Sequence, residues 1–166
     1  ALQQRSYTMN QVPSIPYTYV FNATSPSALA TMRTRSSVVA GSMSKSTFGK
    51  VRNTVIAGIV AGQGATGIAA NLVASKVISS RQKADAVART ETLGAINAGN
   101  LESSQQSQVV KEKEWITTLD GSERDSHADM DGTRVGINEL FNVEGDRMSA
   151  PTNGSDPEQN INCRCT

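Results

Sequence analysis

Aromatic residues make up only 4% of this 166-residue chain, which contains a single Trp, a single His and two Cys. With so few large rings, and with Ala, Ser, Thr and Gly abundant, any core has to be packed from small side chains. Two cysteines do not make a disulfide scaffold. The longest apolar run, Val55 to Ala61 around Gly58, falls far short of the roughly 20 residues that span a bilayer. No signal peptide opens the chain, and its first residue is Ala rather than Met, as expected of a processed product or of one part of a longer polypeptide. The length suffices for one medium domain or two small ones.

Acidic residues are missing from the first 84 positions, which carry nine basic side chains: Arg5, Arg33, Arg35, Lys45, Lys50, Arg52, Lys76, Arg81 and Lys83. From Val109 onward the balance reverses, to twelve acidic against six basic side chains. The net charge of +1 conceals this division. It directs the N-terminal part toward an anionic partner, nucleic acid or an acidic protein surface, or else toward the chain's own acidic half.

The chain divides into three stretches. Residues 1 to 45 read as an extended arm, with Pro13, Pro16 and Pro26 among Tyr7, Tyr17, Tyr19 and Phe21, followed by a loosely helical lead-in from Ala28 to Met43. Residues 46 to 108 read as a helical region. Phe48, Val51, Val55 and Ile59 recur at helical spacing, and the segment GQGATG breaks that helix. Thr66 can cap a second helix through Ile68, Leu72, Val73 and Val77. A third helix starts near Ser80 and carries Ala84, Val87, Ala88, Glu91, Ala95, Ala98 and Leu101 on one face. Glu91 on that stripe is expected to be buried or at an interface, paired with Arg89 or with a basic residue of the second helix. Residues 109 to 166 read as a small α+β lobe: a strand over about 109 to 119, a short helix capped by Ser122 and holding His127, a short strand from Thr133 to Ile137, and a last strand from Cys163 to Thr166. The fold class expected is therefore α+β, helical first and mixed afterwards.

Gly62-x-Gly64-x-x-Gly67 matches a dinucleotide-binding fingerprint, with Asp85 eighteen residues further on. That chemistry requires a strand before the glycines and a second strand ending at the acid. Here the preceding segment has helical period and Asp85 lies inside a third helix, so the glycines read as a helix C-cap and an inter-helix turn.

The chemistry-bearing residues concentrate in Trp115 to Gly132 and Ile161 to Cys165. The cysteines of Cys163-x-Cys165 are too close for an unstrained mutual disulfide, but in an extended segment both thiols face one side. With His127 they offer three ligands that suit zinc, the fourth coming from Asp125, Asp129, Asp131 or water. The alternative is a pair of buried thiols and a hydrogen-bonded histidine. Asp120-Gly121 and Asp131-Gly132 read as turns, which Arg124 can bridge through the two carboxylates.

Taken together, VRNTVIAGIVAGQG, IAANLVASKVI, ADAVARTETLGAINAGNLE with Ala88-Arg89-Thr90-Glu91 and Asn97-Ala98, EWITTLDGSERDSHADMDG, the Phe141 loop, Pro151, Asp156, Pro157 and INCRC resemble the phage Mu protein F-like minor head proteins, the phage head morphogenesis family. The likeness covers most of the chain from about Lys50. It implies a structural, non-enzymatic component of a tailed-phage head, assembled in the bacterial host cytoplasm and placed near the portal. It also implies portal and capsid proteins as partners, with packaged double-stranded DNA met by the basic half. Two other classes compete: a zinc-dependent hydrolase with Asp125, Asp129 or Glu123 as general base, and a delivery module of a phage-derived toxin.

Overall fold

Why residues 45 to 107 coil into helices follows from apolar spacing, from caps and from one bare stretch of backbone. The computed structural model describes residues 44–166, so the expected arm and lead-in lie outside the described residues. Helix α1 (Lys45–Val60) starts at Ser44, whose hydroxyl accepts the Thr47 N–H at 3.3 Å. Its inward face is Val51, Val55 and Gly58. Ile59, expected on that face, is 39% exposed. The reason is Gly58: a Cβ there would overlap Ile68 Cγ1, so the next helix comes closest where α1 has no side chain.

Gly62, with φ at +69°, ends α1, and the Gly62 and Gln63 amides close on the carbonyls of Ile59 and Gly58. Helix α2 (Ala65–Ala74) follows at once. Its N-cap is Gly64 with no side-chain hydrogen bond, so Thr66 is not the cap; it lies one residue inside the helix. The glycine run thus joins two helices, and the strand that a pyrophosphate site needs before it is absent.

Helix α3 (Arg81–Ser107) is capped by Ser80 and ends where Gln108 takes a left-handed φ of 59°. Ala84, Val87 and Ala88 from its first half close one core with Val51, Val55, Ile68, Ala69, Leu72 and Ile78. From Thr90 onward the buried face comprises Thr90, Gly94, Asn97, Ala98 and Glu102, which departs from the expected stripe because this part packs on a polar lobe. Leu101, Ala95 and Glu91 are half-buried at its edges.

The lobe has two small antiparallel sheets among the described residues. Strand β1 (Glu112–Glu114) pairs with β2 (Arg134–Gly136), Lys113 opposite Val135. Between them sits the one-turn helix α4 (Asp125–Ala128). Strands β3 (Phe141–Val143) and β4 (Asp146–Met148) form a hairpin, and the one-turn helix α5 (Pro157–Asn160) follows. The hairpin turn places Glu144 at φ 50° and Gly145 at φ 93°, the pair of positive values that suits strand twist.

One expected strand is shorter than anticipated and another is absent. Past Glu114 the ladder stops because Trp115 faces two residues, its N–H donating to Thr133 O at 2.9 Å and its carbonyl accepting Gly132 N–H at 2.8 Å. The Cys163 to Thr166 stretch is not a strand either. Thr166 and Ile116 exchange both backbone hydrogen bonds, at 2.8 and 2.9 Å, but the carbonyls of Arg164 and Cys165 go to the side chains of Thr118 and Asn97. The second core, Trp115, Phe141, Val143, Met148, Cys163 and Cys165, lies between these pieces. The class is α+β, and among the described residues no helix is long and apolar enough to cross a membrane.

The Gly58 contact gives a direct test. Gly58→Ala gains about 1 kcal/mol of helix propensity, yet the overlap with fully buried Ile68 outweighs it and urea denaturation shows a net loss of about 1–2 kcal/mol. Adding Ile68→Ala makes room for the new methyl, so the double variant loses less than the two single losses combined.

Candidate functional site

His127 is fully enclosed although α4 is a single turn. What holds it is the extended stretch before it, where Trp115 and Thr117 fall on the same inward side. The Trp115 indole N–H donates to the Thr117 hydroxyl at 3.1 Å, and that hydroxyl donates to His127 O at 2.6 Å. The indole also meets the imidazole edge-on, with centroids 5.6 Å apart, and Phe141 likewise at 5.3 Å. Asp131 accepts the Thr117 N–H at 2.8 Å, which ties the second Asp-Gly turn to the same stretch.

The imidazole sits between two partners. On one side Nε2 is 3.0 Å from Gln159 Oε1, while the Gln159 amide nitrogen donates to the Glu144 carboxylate at 3.0 Å. A carbonyl oxygen accepts, so Nε2 carries the proton and Nδ1 keeps its lone pair. On the other side Nδ1 faces Cys165 Sγ at 3.4 Å and Cys163 Sγ at 3.6 Å. All three donor atoms lie within 4.8 Å of one another, and all three residues are buried. The three residues singled out by type are thus brought together from parts of the chain 36 to 38 positions apart.

The two sulfurs share a proton unequally. A hydrogen bond from Cys163 holds Cys165 below the usual thiol range. The same bond, with burial, pushes Cys163 up. A recess of about 20 Å³ opens on the cluster beside Thr117, Ser122, Glu123 and Arg124, room for one water-sized ligand. Chemically this is a soft donor set with one further position open. Asp125 and Asp129 are exposed, and among the described residues no carboxylate joins the three donors.

The loop from Asp120 to Arg124 is wired differently from the expected bridge. Arg124 donates to Ile161 O at 2.6 Å and touches neither turn carboxylate. Arg164 takes that role for Asp120, through a two-pronged ion pair with one contact at 2.7 Å. Cys-Arg-Cys alternates inward, outward, inward, a pattern that in hindsight marks Arg164 as the outward reach. Ser122 does not cap α4, whose N-cap is Arg124. Its N–H instead joins those of Asp120 and Gly121 on Glu123 Oε2, at 2.8 to 3.0 Å.

Sequence reasoning missed Gln159, Glu144, Asp146 and Lys113. Asp146 is buried and takes the Ser155 and Asp156 amides at 2.9 and 3.1 Å. Lys113 spans the lobe, donating to Ile137 O at 3.2 Å and Ser149 O at 2.8 Å over the Phe141 ring, and burial lowers its pKa. Nothing in the local pattern distinguishes these from surface residues. The Ala88-to-Ala98 motif has a shared purpose: it joins α3 to the lobe. Arg89 reaches Asn162 Oδ1 at 3.3 Å, Thr90 Oγ1 accepts the Asn162 N–H at 3.0 Å, and Asn97 Nδ2 donates to Pro151 O at 3.2 Å and Cys165 O at 3.0 Å. Arg89, expected as one of the candidate partners of Glu91, thus also reaches across to the lobe.

The Glu123 clamp has a pH signature. Backbone amides, its own first and then those of Asp120, Gly121 and Ser122, hold Glu123 below the usual carboxylate range, and the Arg164 hydrogen bond does the same for Asp120. Stability from depressed carboxylates is present above their unfolded pKa and is lost as pH falls through the folded one. The Gly121 and Ser122 amide resonances should hold steady as pH drops through the ordinary carboxylate range and move together only below it. Movement within that range would show that the clamp is not formed.

Comparison with known proteins gives these residues a context. Over 119 residues, 70% of this chain, it is 28% identical to a protein of Enterococcus faecalis (strain ATCC 700802 / V583) named NAD(+)--arginine ADP-ribosyltransferase EFV, covering 24% of that protein. Over 91 residues, 51% of this chain, it is 34% identical to the uncharacterized protein YqbB of Bacillus subtilis (strain 168), covering 30% of it. The chain thus spans less than a third of these relatives. No solved structure matches. The family model described as Phage Mu protein F like protein matches residues 49–166, a stretch that contains all three helices' cores, the α3 joint and the histidine–cysteine cluster. The chain belongs to the Phage Mu protein F like family of phage head morphogenesis proteins.

Proposed function

We propose that the chain is a minor head protein of a tailed bacteriophage, a structural component near the portal that aids head morphogenesis and touches packaged double-stranded DNA through its basic half. Family membership supports the first part. The observation that carries the second is the disposition of charge. Lys45, Lys50, Arg52, Lys76, Arg81 and Lys83 are all exposed. Among the described residues, the one of these in an ion pair is Arg81, and its partner is Asp85 on the same helix. The acidic lobe pairs within itself, Arg134 with Glu114 and Arg164 with Asp120. Mutual neutralisation of the two halves therefore has no support among the described residues, and the helical half presents its cations outward. Polyphosphate backbone is the natural counterpart.

On this reading the protein itself catalyses nothing. Of the general bases a hydrolase would need, Asp125 and Asp129 stand outside the cluster, and Glu123 is engaged by three backbone amides. One observation favours a second reading, a delivery module of a phage-derived toxin: in the relative named as an ADP-ribosyltransferase the matched stretch is 24% of the length. There, a stretch like this one is part of a much larger polypeptide.

Two measurements test the proposal. Mass spectrometry of purified heads from the encoding phage should find the chain at a few copies per particle, and its absence from heads would overturn the head assignment. Fluorescence anisotropy with a double-stranded oligonucleotide should show binding that weakens steeply with salt. Replacing Lys45, Lys50 and Arg52 by Glu should lower the magnitude of the log–log salt slope by about 2–3. Salt-independent binding, or none, would overturn the DNA contact.

A further inference from the structure

The His127, Cys163 and Cys165 cluster has no part in the head-protein reading, yet it gathers three buried donor groups at one point. In a tetrahedral zinc site with Zn–S near 2.3 Å and Zn–N near 2.05 Å, a nitrogen and a sulfur ligand are about 3.6 Å apart. His127 Nδ1 lies 3.4 Å from one sulfur and 3.6 Å from the other. Both nitrogen–sulfur separations are thus those of such a site, and all three donor atoms lie within 4.8 Å of one another.

Three further features suit an ion there. Nδ1 is the nitrogen with the free lone pair, because Nε2–H is held by Gln159 and Gln159 by Glu144, the relay that orients metal-bound histidines. The two sulfurs are brought to one side by the Asn162 left-handed turn and by the Cys165 N–H, which donates to Cys163 Sγ at 3.4 Å and supports negative charge on it. The recess beside the cluster has room for one water-sized ligand and is lined by polar groups, Thr117, Ser122 and Arg124 among them. Two sulfurs and one imidazole favour zinc over the oxygen-seeking ions.

From this geometry we infer that the lobe binds one zinc ion through His127 Nδ1, Cys163 Sγ and Cys165 Sγ, with a solvent molecule in the fourth position at the recess. The ion fastens the last residues of the chain to the Trp115 stretch. Its binding energy adds directly to folding, since the ligands are 36 to 38 residues apart and meet only in the folded lobe.

Cobalt titration of the full, reduced chain under anaerobic conditions reads the site spectroscopically. One equivalent of cobalt should produce an intense visible band of tetrahedral cobalt and a near-ultraviolet thiolate-to-metal band, and zinc should bleach both. Azide should shift the visible band by replacing the solvent ligand; an unshifted band would overturn the open fourth position. Cys165→Ser should lose most of the charge-transfer intensity. Since that variant removes a buried group and can misfold, Glu144→Gln supplies a milder one: it keeps the part-buried hydrogen bond to Gln159, removes the charge and should weaken zinc on the order of tenfold. Weak octahedral bands, or none, with the wild-type chain would overturn the site and leave a hydrogen-bonded thiol pair. The head-protein reading is judged separately, by particle composition.

Discussion

The indole N–H of Trp115 is the constraint on which the lobe depends. A buried indole must place its single donor, and it does so on a hydroxyl two residues ahead, which in turn fixes the carbonyl of His127. Around the ring, Phe141 and His127 pack edge-on, and the cysteines close the far side. A region with so few large apolar side chains cannot rely on area alone. It relies on polar groups that find main-chain partners: Asp146 on the 155–156 amides, Asn160 on Gly154 and Asp156, Glu123 on the 120–122 amides. Asp146 and Asn160 are buried and costly if left unmatched, so their satisfied set enforces one arrangement.

Helix α3 converts that arrangement into a shape. Its 27 residues span about 40 Å. One part packs on α1 and α2 through alanine and valine, and the part from Thr90 onward docks the lobe through Thr90 and Asn97. Cations are concentrated at the first end and carboxylates at the second. Such a body has a strong dipole and orients itself before contact with a charged wall or a nucleic acid.

Much of this was legible beforehand. The α+β class, three helices with a glycine turn between the first two, the charge division and the His127, Cys163 and Cys165 set all rest on local spacing or on residue rarity, which survive in the primary structure. What was not legible depends on contacts across the fold. Ile59 yields its inward place to Gly58 because of where Ile68 lies. Arg164 rather than Arg124 meets Asp120 because the chain returns beside that turn. Gln159 and Glu144 look like any surface residues, and only the position of the imidazole gives them meaning.

Asn97 grips the lobe by two main-chain carbonyls, those of Pro151 and Cys165. A carbonyl is the same in every residue, so this contact is blind to which side chains the lobe carries at those places. In evolutionary terms this one contact is neutral: it places no demand on the side chain at position 151, whereas the Arg89 contact beside it does depend on the side chain of Asn162.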